Sequence, residues 1–330
     1  MATAPLTNTE LRIIPLSDAD LPGLETVFDE QVKEWLPLLR WDYSGASRMI
    51  REVARRRELT GFAATAGPAT VGFTFYVNEG HRCSVGDLYV SADWRGRGVD
   101  RQLAAAILEE LDQSGRVRRI EVQCVTAGIP AAEELFANHG FQGFSRSYMT
   151  ALFSRLPEQT VSGSRSGELL DIEVRPWRDS DFARAAQVVH RSYRGEYDSR
   201  INSQYETEEG CAELLTILTD SIWCGNFLPE ASRVAVDSAT GKQIGVVIAS
   251  RIAVSSGHLG QISVMPAYQR RGVGRRLIRS AMTELERLGL EAVSLAVTDA
   301  NTPALHLYES CGFVPVHGFT VFCRDTKKKG

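Results

Sequence analysis

Hydrophobic positions along the second half of the chain change period several times, and each change marks an element. "DIEVR" (171 to 175) alternates polar and apolar residues in the two-residue period of a strand. Asp179 then stands as the cap of a helix expected to run to about Tyr193, and a second helix is expected from Glu208 to about Leu218. "RVAVD", a turn at "SATGK" and "QIGVVIASRI" read as a hairpin, and "HLGQISVM" as a further strand. From 273 to 288, Leu277, Ala281, Leu285 and Leu288 recur at helical spacing. "EAVSLAV" reads as a strand, 301 to 311 as a helix, and "FVPVHGFTVFCR" as one or two closing strands. The alternation has no strict βαβ rhythm. It predicts an α/β (α+β) fold, with a mixed, partly antiparallel sheet and helices on both faces.

The pattern occurs twice. "LYVSADWRGRGVDRQL" from position 88 returns as "ISVMPAYQRRGVGRRL" from 262, and "ELFANHGF" from 134 returns as "HLYESCGF" from 306. "IPLSDADL" from 14 matches "RPWRDSDF" from 175. Three matches in one order predict two copies of one domain, with extra residues in the early part of the second. The Ser-, Gly- and charge-rich segment 157–170 reads as the linker, so the expected division is 1–156, 157–170 and 171–330.

Between the strand "ISVMP" and the helix from 273 lies Gln269-Arg270-Arg271-Gly272-Val273-Gly274. A helix opening leaves N–H groups without partners and carries partial positive charge, so a phosphate supplies what is missing there. Glycines let the backbone approach an oxyanion closely, and Arg270, Arg271, Arg275 and Arg276 add charge. The same turn also serves as a plain tight turn. A dinucleotide-binding G-x-G-x-x-G is absent, because Arg275, Arg276 and Leu277 follow Gly274, and no G-K-[ST] of a P-loop is present.

This run, with "NTPALHLYESCGF" some way after it, resembles the signatures of the GCN5-related N-acetyltransferase (GNAT) family, and the likeness covers nearly all of 171–330 in element order. The resemblance implies acetyl-CoA as cofactor and a sheet whose two central parallel strands splay at a bulge. It implies that Ile262, Ser263 and Val264 offer backbone to the pantetheine arm, and that the 269–275 run, Val273 and Arg275 included, binds the pyrophosphate. Tyr308 matches the family's usual acid for the departing thiolate, or else is a core aromatic. Asn301 matches a cofactor contact and also a plain N-cap. His258 stands six residues before Val264, where some members carry a base, and an imidazole titrates in the useful range; a satisfied surface histidine is the other reading. Glu196 and "YETEEG" (205 to 210) fall where the family builds its acceptor site, or form a solvated helix start.

The first copy departs at the informative positions. Asp100 replaces the last glycine, setting a carboxylate against the expected pyrophosphate; Phe136 stands for Tyr308 and Ile129 for Asn301. Residues 1–156 are thus expected to be catalytically silent, buttressing the other copy or shaping its acceptor site. A tandem with a degenerate first half is similar to the mycothiol synthases of the same family, although no acceptor motif for that substrate is found.

Composition narrows the rest. Residues 1–156 hold 17 Lys+Arg against 20 Asp+Glu and the remainder 20 against 21, which gives no electrostatic case for nucleic acid. No run approaches the roughly 18 apolar residues that span a bilayer. The six cysteines have no C-x-x-C spacing, and no secretory leader is read at "MATAPLTNTE", so a reduced cytoplasmic setting is expected without disulfides or metal. The expected activity is acetyl transfer to a small amine, an amino-sugar or a peptide N-terminus, by a monomer (a pseudo-dimer) or a homodimer. A non-catalytic acyl-CoA-binding or sensing module is the alternative, and an oxygen acceptor a third.

Overall fold

The computed structural model describes residues 10–115, 117–125, 129–156, 171–220 and 222–326. The expected linker at 157–170 lies outside them. Contacts divide the chain into two compact units. Unit 1 comprises Met1–Pro37, Ala46–Ser145 and Phe319–Gly330; unit 2 comprises Leu38–Gly45 and Arg146–Gly318.

The first copy runs β1 (Leu11–Pro15), α1 (Leu21–Leu39), α2 (Ser44–Arg55), β2 (Gly61–Ala66), β3 (Ala69–Glu79), β4 (Arg82–Val90), α3 (Val99–Ser114), β5 (Arg119–Gln123), α4 (Pro130–Asn138) and β6 (Gln142–Leu152). The second runs β7 (Ile172–Pro176), α5 (Phe182–Tyr193), α6 (Asp198–Ile201), α7 (Glu208–Asp220), β8 (Asn226–Phe227), β9 (Arg233–Asp237), β10 (Lys242–Ala253), β11 (Ser256–Val264), α8 (Val273–Arg287), β12 (Ala292–Thr298), α9 (Thr302–Glu309) and β13 (Val314–Asp325).

In unit 1 the sheet order is β1-β2-β3-β4-β5 and then the end of β13, with only β4 and β5 parallel. Leu103, Ile107 and Leu111 of α3 pack on Val85, Leu88 and Val122. In unit 2 the order is β7-β9-β10-β11-β12 and then the end of β6, with only β11 and β12 parallel. Successive side chains of a strand leave on opposite faces. Val247 and Ala249 of β10 accordingly join Leu277, Ala281 and Leu285 of α8 on one face, while Val246 and Ile248 join α5 and α7 on the other. Two covered faces explain why β10 reads as a nearly continuous apolar run rather than an alternating one.

Two expectations are corrected. The helix ending at Tyr193 begins at Phe182, and Asp181, not Asp179, organises its start. The Asp181 carboxylate accepts two bonds from Arg175, both 2.7 Å, and one from the Arg178 N–H at 2.8 Å. The linear division at 156 and 171 is also crossed by two strands. Arg146–Leu152 of β6 pairs with β12 in unit 2, and Val321–Asp325 of the single closing strand β13 pairs with β5 in unit 1. A strand edge needs backbone partners, and the last strand of either copy satisfies them. The copies have exchanged their ends.

Candidate active site

In unit 2 the parallel register of β11 and β12 covers Ser256↔Ala292, Gly257↔Val293 and His258↔Ser294. Beyond it the strands diverge. The cause is a bulge: β10 pairs Ile248 with Gln261 and then Ala249 with Leu259, leaving Gly260 as the extra residue. A Cβ there would lie 2.9 Å from Leu218 Cδ2, so a larger residue would have to displace the end of that side chain.

Past the bulge, β11 offers one edge to the opening. Met265 N–H donates to Ile244 O at 2.9 Å, while Gln269 Nε2 reaches the Val264 carbonyl at 3.1 Å and Tyr193 Oη stands 3.5 Å from the Ile262 carbonyl. A residue in an extended strand sends its N–H and C=O along the same edge, so Ile262 and Val264 present both groups to the cleft.

The loop that follows turns tightly through left-handed backbone at Arg270 (φ 57°) and Gly272 (φ 80°). Gly272 caps α8 without a side-chain bond, leaving the first-turn amides pointing outward. Gly274 sits against α9, where a Cβ would come 3.1 Å from Leu307 Cδ2. A cavity of about 730 Å³ in unit 1 lies against β1, β2 and α3, away from the loop. In unit 2 one of about 620 Å³ is lined by Ile262, Ser263, Val264, Gln269, Arg270, Gly272, Gly274, Arg275, Asn301 and Tyr308. Arg271 is not on its wall, and the Val273 side chain is buried in the core. Arg276 turns away to bond Ile172 O at 2.6 Å. Asn301 Oδ1 accepts from Ala304 N–H at 3.2 Å, so the capping reading of this residue holds beside its place on the wall.

Tyr193, expected only as a helix end, is also on this wall, and Tyr205 of the "YETEEG" run and the buried Gln261 stand behind it. Tyr193 stacks on Tyr205, with centroids 3.9 Å apart. Gln261, only 2% exposed, donates to Tyr193 Oη and accepts from Tyr205 Oη, both at 3.1 Å, and donates to Ser263 Oγ at 2.8 Å. A second, narrower cavity of about 60 Å³ lies in the splay, and Tyr193, Ile262, Asn301 and Tyr308 line both. Its other walls include Tyr205, Asp198 and Arg146. Burial first, then neighbouring Tyr193 and Asp198, push the Tyr308 phenol well above its ordinary value, so it keeps its proton. Tyr193 ends a helix whose period was legible. Arg146 belongs to the first copy by sequence, and no local signal links it to this site.

His258 is not brought to the cleft. It lies on neither cavity wall. Its ring stacks on Tyr148 with centroids 5.9 Å apart, and Nδ1 lies 2.9 Å from Ser294 Oγ. Burial, and then the charge of Arg146, push its pKa down to about 4. The expectation of a base at His258 gives way to a satisfied structural histidine, because the side chain falls where β11 is still paired with β12.

In unit 1 the same parallel pairing ends at Val85↔Val122, and the loop is built alike. Its cleft position is filled from within. Asp100, 3% exposed, does not face solvent or a phosphate. Its carboxylate accepts from Ala131 N–H at 2.9 Å and Ala132 N–H at 3.0 Å, the first amides of α4. Phe136 packs with Phe141 and Phe322.

Among the described residues no group of three His, Cys, Asp or Glu side chains could hold a metal, and no helix is long and apolar enough to cross a membrane. A family model for the acetyltransferase (GNAT) family matches residues 24–141 and again 198–313. The chain is 38% identical over 73 residues to ribosomal protein bS18-alanine N-acetyltransferase of Escherichia coli (strain K12), covering 22% of this chain and 49% of that one. It thus spans about half the length of that relative. With mycothiol acetyltransferase of Thermobifida fusca (strain YX) it shares 29% identity over 245 residues, 69% of this chain and 70% of the other. A GCN5-related N-acetyltransferase structure from Sphaerobacter thermophilus superposes with a TM-score of 0.63 at 17% identity, over 98% of this chain and 97% of that one. A tandem GNAT protein from the clavulanic acid biosynthesis pathway gives 0.56 at 16% identity, over 96% and 98%.

Proposed function

The chain belongs to the acetyltransferase (GNAT) family, and from that premise we propose that unit 2 transfers an acetyl group from acetyl-CoA to a primary amine by direct attack in a ternary complex. One observation carries the reading. A single cavity joins the 269–274 loop, the cleft edge of β11 and Tyr308.

The residues fit the cofactor. Gly272 leaves the loop amides uncovered, and Gly274 keeps α8 close to α9 without filling the cavity. Bound acetyl-CoA supplies the acetyl thioester. The loop amides and Arg270 and Arg275 hold its diphosphate. The Val264 N–H, fixed at the strand edge, stabilises charge on the carbonyl oxygen without reorganising. Tyr308 Oη holds its proton throughout the working pH range and would donate its O–H to the leaving sulfur as charge develops there, the proton following as the attacking nitrogen releases its own. Glu196, also on the wall, draws a cationic amine towards the opening.

Calorimetry with acetyl-CoA is expected to show one binding event per chain, and a panel of amines to release free thiol. Tyr308→Phe is expected to lower kcat by about 10²- to 10⁴-fold with acetyl-CoA binding retained. No heat with acetyl-CoA overturns the reading. Binding without transfer to any amine replaces it with an acyl-CoA-sensing module.

A further inference from the structure

The 60 Å³ cavity in the splay is narrow, and its wall carries one carboxylate and one guanidinium. Asp198 stands on α6, and its Oδ1 accepts from Thr298 Oγ1 at 2.6 Å. Arg146 arrives on the exchanged end of β6, directly across the ladder from Thr298. Both charges act on the phenols of Tyr205 and Tyr308, Asp198 raising their pKa values and Arg146 lowering them. The two are therefore close to the group assigned as the acid. A plain ammonium would meet Asp198 and be opposed by Arg146, and a plain carboxylate would meet the reverse. A ligand charge taken out of water is costly unless it meets its opposite. A head bearing both charges meets an opposite charge on each side.

Resting on the transferase reading above, we propose that this cavity seats the head of a small free α-amino acid, with its ammonium towards Asp198 and its carboxylate towards Arg146. The volume, about the room of two water molecules, admits few heavy atoms and favours the smallest members. The wall shared with the larger cavity, Tyr193, Ile262, Asn301 and Tyr308, is where the nitrogen meets the thioester. There the nitrogen–carbon bond forms as the carbon–sulfur bond breaks. The ammonium sheds two protons: one replaces the proton that Tyr308 gives to sulfur, and the other leaves to solvent. The first copy would then contribute to the reaction through one residue, delivered by strand exchange.

The test compares thiol release by the unmodified protein with glycine, alanine, glycinamide, ethylamine and glycylglycine as acceptors. Glycine or alanine is expected to exceed the amide and the amine by about 10- to 100-fold in kcat/KM, the worth of a charge-assisted contact. Arg146→Gln is expected to erase that preference, with the heat of acetyl-CoA binding unchanged, and Arg146→Lys to restore part of it. Equal use of glycinamide and ethylamine, or a preference for glycylglycine, overturns the amino-acid assignment and leaves the transferase reading standing. Binding of acetyl-CoA with no acceptor at all overturns both.

Discussion

In unit 1 the loop from Arg95 to Asp100 and in unit 2 the loop from Gln269 to Gly274 follow one backbone. Gly96 and Gly98 hold φ of 74° and 75°, and Arg270 and Gly272 hold 57° and 80°. Even the first side chain plays one part: Arg95 Nε bonds Val90 O at 2.9 Å, and Gln269 Nε2 bonds Val264 O at 3.1 Å. The difference lies at the last residue of each loop, two positions after the second left-handed residue. Ile129 cannot cap α4, so Asp100 reaches across and takes its first amides; Asn301 caps α9 itself, and Gly274 leaves the space open. The two changes compensate each other. A missing cap is restored by a carboxylate from a neighbouring helix, and the position where a cofactor arm would pass is filled.

The largest expected effect concerns the exchange of ends. A fragment comprising 171–330 lacks Met149 and Ala151 of its own core and the antiparallel partner of β12. It is expected to show no cooperative thermal transition by circular dichroism, whereas a fragment that also carries 142–156 is expected to regain one. A sharp melt of 171–330 alone would show that the exchanged strand is dispensable.

The second expectation addresses the filled cleft. Asp100→Gly removes a buried acceptor from two amides and adds a helix glycine, for a loss of about 2–4 kcal/mol in urea unfolding. Adding Ile129→Asn is expected to return about 1 kcal/mol by restoring the cap. Strict additivity of the two changes would refute the compensation.

His258 gives a pH signature. Its pKa falls from 6.5 in the unfolded chain to about 4 when folded, so the unfolded state binds the proton first. Stability is complete above pH 6.5 and declines as pH falls towards about 4, by up to about 3 kcal/mol. His258→Gln is expected to flatten unfolding free energy across that window while leaving the pH dependence of transfer unchanged. A catalytic base would alter the rate profile instead.

The smallest effect is at the loop. Gly272→Ala meets no atom, yet it places a side chain at φ 80°, which costs about 1–2 kcal/mol. The same change at Gly98 is expected to cost a similar amount in stability, but only Gly272→Ala should also weaken acetyl-CoA binding, read by calorimetry.

Much of the molecule was legible before any coordinates. Leu277, Ala281 and Leu285 lie on the buried face of α8 as their spacing requires, because a helix period is set by the backbone and needs no distant partner. The glycine turns were readable for the same reason: a left-handed torsion is a local demand. The splay was expected only through the family likeness, and the bulge that accompanies it falls at Gly260. Asp100 was read as a carboxylate facing a phosphate, and the structure turns it inward, since the amides it takes lie 31 and 32 residues away along the chain. His258 was read by its distance from Val264, but its burial depends on Tyr148, from another strand.

The sequence by itself therefore determined the repeat, the element types, the loop backbone and the loss of Tyr308 and Gly274 equivalents in the first copy. Those properties follow from period and torsion within a few residues. Only the tertiary structure decided which last strand completes which sheet, that Arg146 reaches the splay of unit 2, and that Gln261 ties Tyr193 to Tyr205. Pairing across a sheet is chosen by the edges that happen to need partners, and backbone hydrogen bonds carry no record of side-chain sequence.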